Sequence, residues 1–82
     1  MPTVLRLPGL RIVIFTHDHL PPHVHAQAPD GAAIFLLNCP DGPPTLREDQ
    51  GLGPRECKRI GKELAAHAAA LCVQWREIHG DH

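Results

Sequence analysis

Apolar residues run densely or alternate through the first half of the chain, then recur at helical spacing in the second half. Thr3-Val4-Leu5-Arg6-Leu7 is β-capable and stops at Pro8-Gly9, a turn signal. Leu10 to Phe15 is β-branched and aromatic with apolar residues on both faces, which predicts a strand well inside a sheet, its central one. Pro21-Pro22 interrupts the chain, because neither residue donates a ladder hydrogen bond and each disfavours helix in its predecessor. His23-Val24-His25-Ala26-Gln27-Ala28 then alternates polar with small apolar, the pattern of a half-buried strand. Pro29-Asp30-Gly31 turns the chain into a second apolar run, Ala32 to Leu37. The pattern predicts a small antiparallel meander of three to four strands within residues 3–37.

Residues 38–53 are rich in proline, glycine and acidic side chains and predict an irregular connection, with one short helical turn at Leu46–Gln50. From Pro54 to about His79 the period becomes helical: Cys57, Ile60, Leu64, His67/Ala68, Leu71, Trp75 and Ile78 share one stripe. Pro54 suits the first helical position and Gly80 a C-cap, so one long C-terminal helix, about 54–79, is expected to pack on the sheet. The fold class is α+β.

At 82 residues the chain has room for one domain, residues 1–82, and one core. With 43% hydrophobic and 21% charged residues, the composition is globular and excludes a disordered or fibrous chain. A net charge of -1 gives no bulk attraction to nucleic acid or an anionic membrane, so such partners must be read from local clusters. Seven histidines make the charge sensitive to pH just below neutrality. Three cysteines, Cys39, Cys57 and Cys72, are odd in number and lack CxxC spacing, which argues against a disulfide framework or a cysteine zinc site and for a reducing, cytoplasmic location. The opening segment has no signal-like apolar region, and no run reaches the ~18 apolar residues of a membrane span.

Chemistry concentrates in His17-Asp18-His19-Leu20-Pro21-Pro22-His23-Val24-His25. If the chain reverses at the proline pair, His19 falls opposite His23 and His17 opposite His25, and period-two alternation puts all four imidazoles on one face. Such a cluster supports zinc, copper or nickel ligation by His17, His19, His23 and His25. It equally supports metal-free acid–base chemistry on a phosphodiester by His19, His23 and His25, and it is also compatible with polar side chains on a solvated face. Asp18 alternates to the opposite face.

Arg55, Lys58, Arg59 and Lys62 form a basic helix face, a phosphate contact or a solvated surface balanced by Glu56 and Glu63. Trp75 belongs to the apolar stripe, and its i to i+4 spacing to His79 would let the pair close one end of a pocket. His67 reads as a core-edge histidine, and Cys57 and Cys72 as small hydrophobes on the packed side. Neither a phosphate-binding glycine loop nor a nucleophile elbow is present.

The opening Met1-Pro2-Thr3-Val4-Leu5-Arg6, Gly9-x-Arg11, Asp18-His19-x-Pro21-Pro22-His23-Val24-His25, Gly51-Leu52-x-x-Arg55-Glu56 and Trp75-x-x-x-His79 together resemble the small bacterial proteins of the domain of unknown function 4160 family. Asp18, His19, Pro22, His23, His25, Trp75 and His79 match that pattern; His17, the aliphatic strand Leu10–Phe15 and Gly53-Pro54 depart from it. The resemblance covers nearly the whole chain and implies a component of a toxin–antitoxin-like gene pair. The leading expectation is therefore a protein that acts on or binds RNA or a partner protein through His19, His23 and His25. A divalent-metal module and a non-catalytic interaction module, its sheet edge pairing with a partner strand, stand beside it. A cognate protein partner is expected, with RNA as a further partner, homodimerisation as an option and no membrane role.

Overall fold

The structure, a computed structural model, describes residues 3–15, 21–39 and 42–79. Five strands, β1 (Thr3–Leu7), β2 (Leu10–Val13), β3 (His23–Ala28), β4 (Gly31–Leu36) and β5 (Thr45–Gln50), precede two helices, α1 (Pro54–Ala65) and α2 (Ala68–His79). The strands form one antiparallel meander in the order β1-β2-β3-β4-β5. The α+β class and the meander follow the hydrophobic pattern; the number of strands and of helices does not.

Alternation explains how the sheet meets the helices. Ile12 and Ile14, Val24 and Ala26 of β3, Ala33, Phe35 and Leu37 turn to one face and bury against Cys57, Ile60, Leu64, Leu71, Cys72 and Trp75. Ile12, Ile14, Val24, Leu37, Ile60 and Leu64 are fully enclosed, each contributing about 1.5–3 kcal/mol of apolar burial. Leu5 and Leu7 of β1 join the same core because they stand opposite Ile12 and Leu10.

Four expectations are corrected. Residues 45–50, expected to be irregular with a helical turn at Leu46–Gln50, form the edge strand β5. All six of its residues are exposed and only Leu46 is apolar, so no alternation marks it; its hydrogen bonds to β4 override the local helical preference of Leu-Arg-Glu. This added strand makes β3 the middle of the sheet, and β2, expected to be central, becomes the second strand.

The long helix is divided at Ala66–His67, where the His67 N–H bonds the Leu64 carbonyl at 2.9 Å in a tighter i to i-3 turn. No proline or glycine marks this break, and Ala68 continues the buried stripe from Leu64 to Leu71. Finally, Cys39 and Cys72 form a disulfide across a sequence separation of 33, leaving Cys57 as the free, buried thiol. Spacing along the chain could not anticipate it, because β5 and α1 intervene before α2 returns to the end of β4. The argument for a reducing compartment from unpaired cysteines loses its support. Among the described residues, no helix is long and apolar enough to cross a membrane.

The turn from β5 into α1 is organised by Asp49. Its carboxylate accepts N–H bonds from Leu52 at 2.9 Å and from Gly53 at 3.0 Å, next to the first turn of α1. The Gly53 and Leu52 amides hold its pKa below the ordinary 3.8. A carboxyl whose pKa is lower in the folded state stabilises the fold above its unfolded value, and loses that contribution as pH falls through the folded one. Asp49→Asn is therefore expected to lower the urea midpoint at neutral pH, the difference from the parent shrinking as pH falls below 3.8. A difference that stays constant from pH 7 to pH 2 would show that the charge is not responsible.

Candidate functional site

The register between β2 and β3 decides which side chains meet. Arg11 stands opposite Gln27, Ile12 opposite Ala26 and Val13 opposite His25. The expected pairing of His17 with His25 is thus replaced by Val13 with His25. The proline pair begins no ladder of its own: the Pro22 carbonyl accepts from Leu37 N at 3.0 Å, and the Pro21 carbonyl from the His23 side chain. His17, Asp18 and His19 lie outside the described residues.

His23 and His25 are brought together, their ring centroids 5.2 Å apart in an edge arrangement. On the other side of His25, the Phe15 ring meets it edge-on at 4.6 Å. His23 in turn contacts Trp75 of α2 at 5.3 Å, and Trp75 stacks on His79 at 3.8 Å with planes 23° apart. Five rings from two strand ends and a helix, Phe15, His25, His23, Trp75 and His79, therefore form one continuous series. The two separate motifs of the sequence, the histidine pair and Trp75-x-x-x-His79, are joined where His23 contacts Trp75. Phe15, placed only in a strand by its pattern, is part of the series; the period-two spacing of Val13 and Phe15 carried that signal.

Hydrogen bonds specify the tautomers. His23 is 7% exposed and its Nδ1–H donates to the Pro21 carbonyl at 2.9 Å, so a neutral ring carries its lone pair on Nε2. His79 Nδ1–H donates to the Trp75 carbonyl at 3.2 Å, and its buried Nε2 meets no hydrogen-bond partner among the described residues. His25 is half-buried and hence the more accessible of the strand imidazoles.

Direct cross-strand partners share a face, so Arg6, opposite Arg11, and Gln27, opposite Arg11, lie with Val13, His25 and Ile34 on the side away from the helices. Arg6 and Arg11 are both exposed, and the Arg11 guanidinium donates to Gln27 Oε1 at 2.9 Å. Both arginines were missing from the candidates drawn from sequence, because one sits in each of two strands and only the register unites them.

Arg55, Lys58, Arg59 and Lys62 are exposed on α1. Cys57, Ile60 and Leu64 turn toward the sheet, so Arg55 and Arg59 point away from it, while Lys58 and Lys62 flank the gap between α1 and β5. Arg59 is engaged by Glu56, whose hydrogen bond and charge raise the guanidinium pKa. Burial, followed by the Asp49 charge, raises the pKa of the Cys57 thiol, which makes it a poor nucleophile. Among the described residues, no group of three or more His, Cys, Asp or Glu could hold a metal ion.

A five-stranded antiparallel meander covered on one face by two helices, with an imidazole pair at the end of its middle strand, defines a small two-layer α+β domain. Residues 9–76 match the family model described as Domain of unknown function (DUF4160), and the chain belongs to that family. No curated protein and no solved structure matches it.

Truncating His23 removes a buried ring and its carbonyl bond from the side of Trp75. His23→Ala is expected to cost about 1–3 kcal/mol in chemical denaturation and to shift the fluorescence of Trp75, the chain's one tryptophan, to the red. An unchanged emission maximum would mean that the ring series is not maintained in solution.

Proposed function

We propose that the protein is a toxin–antitoxin-type component that binds and acts on RNA through the side of its sheet that bears Arg6, Arg11 and His25. The observation that supports this reading is the common face of Arg6, Arg11, Gln27 and His25, with Phe15 against His25. Arginines at this spacing pair with phosphates, and half-buried rings accept a splayed base by stacking, which is how single-stranded RNA is engaged. His25 is the general acid–base group that meets the substrate, and His23, tied to Pro21 and packed on Trp75, positions it. His19 completes the histidine set of this proposal. Phosphate contact by Arg55, Lys58, Arg59 and Lys62 is not part of it, because those residues lie on α1, which packs on the other face of the sheet.

A labelled single-stranded RNA tests the proposal. Arg6→Ala and Arg11→Ala are each expected to reduce the salt-dependence slope of binding by about 1, and His25→Ala to abolish cleavage or cellular toxicity with the fold intact by circular dichroism. Parent-like activity in His25→Ala rules the proposal out.

One observation favours a second reading, a divalent-metal module of His17, His19, His23 and His25 binding zinc, copper or nickel. A histidine whose Nδ1–H is held by a carbonyl, as His23 is by Pro21, is oriented to ligate through Nε2. Equilibrium dialysis with each metal should give binding that His23→Ala and His25→Ala weaken; no binding tighter than about 0.1 mM discards the module.

A further inference from the structure

A groove of about 470 Å³ runs between β5 and α1, and no histidine lines it among the described residues. Pro43, Pro44 and Leu46 form one wall, and Leu46 is 46% exposed, a large apolar side chain left uncovered on the helix side of the sheet. The floor is Phe35, opposite Leu46 in the ladder. Gly61 opens the other wall: it is a glycine within α1, where it costs about 1 kcal/mol relative to alanine. No crowding demands it, since an added Cβ would meet Phe35 Cε2 at an ordinary 3.5 Å. Its effect is to leave the space beside Phe35 unfilled.

The rim carries Lys58 and Lys62, the chain's two lysines, one helical turn apart on the groove side of α1. Among the described residues neither has a carboxylate within ion-pair distance, whereas their neighbour Arg59 is engaged by Glu56. An apolar channel with two ammonium groups on one lip, neither in an ion pair with a described carboxylate, is complementary to a segment bearing apolar side chains and carboxylates. Strand addition to the outer edge of β5 is a poorer alternative, because the β4 ladder skips Arg47 in a bulge and charged side chains line that strand.

We propose that this groove is the docking site for an acidic, apolar-anchored peptide segment of a partner protein, Lys58 and Lys62 pairing its carboxylates while its apolar side chains fill the space over Phe35 beside Gly61. It is independent of the RNA reading, using neither its residues nor its face. The groove, about 470 Å³, has the size of a ligand site.

The probe is a fluorescein-labelled synthetic peptide of alternating leucine and glutamate, compared by anisotropy with leucine–lysine and serine–glutamate versions, on the full chain. The leucine–glutamate peptide is expected to bind with a Kd below about 1 mM and the other two more weakly. Lys58→Glu with Lys62→Glu, and separately Gly61→Leu, should each weaken it about tenfold or more, while Gly61→Ala binds as the parent does. Circular dichroism confirms that each variant is folded. Equal binding by parent and variants overturns the proposal, as does equal binding of the leucine–lysine peptide. A concentration-dependent dimer lost in Gly61→Leu also overturns it, by assigning the groove to a second copy of the chain.

Discussion

The structure depends on the middle strand having two different faces. Val24 and Ala26 are small and fully enclosed, so the helices can lie close on that side of the sheet, while His23 and His25 are turned elsewhere by the same pleat. A one-residue slip of β3 would carry imidazoles into the core and aliphatic groups out of it, a change that the burial of Ile12, Phe35 and Leu64 forbids. The register of the whole sheet follows from that constraint, and with it the set of residues that share a face with His25.

The imidazoles have opposite relations to solvent although they are two residues apart. His25 is flanked across the sheet by Val13 and Ile34 and keeps partial exposure, whereas His23, at the first position of β3, is enclosed by Trp75 and held by Pro21. Enclosure costs free energy unless the polar atoms are paired, and the Pro21 carbonyl meets that requirement for Nδ1. Pro21-Pro22 thereby serves less as the tip of a hairpin than as a rigid source of two carbonyls, one for His23 and one for Leu37. The ring series reaches His79 only because α2 crosses this end of the sheet.

The connection from β4 to β5 is governed by polar contacts in place of a core. Asn38, at φ 53, donates to the Pro43 carbonyl at 2.9 Å and to Thr45 Oγ1 at 3.0 Å, and its own carbonyl accepts from Gly42 N. Asp49 plays the same part at the other end of β5, so a strand with almost no apolar content is pinned at both ends and by its ladder to β4. Cys39–Cys72 fastens the start of this connection to α2.

Periodicity alone determined the α+β class, the identity of four strands, the helical second half and its buried stripe from Cys57 to Trp75, because burial on one side of a sheet or helix writes itself into residue spacing. It also determined that His23 and His25 share a side of β3. The fifth strand, the break at Ala66–His67, the Cys39–Cys72 bond and the contact of His23 with Trp75 were decided only by tertiary structure. Each joins residues far apart in the chain or rests on backbone hydrogen bonds that any sequence can make. Arg6 and Arg11 show the same division: alternation sets which way each points within its own strand, but only the ladder between β1, β2 and β3 puts them beside His25.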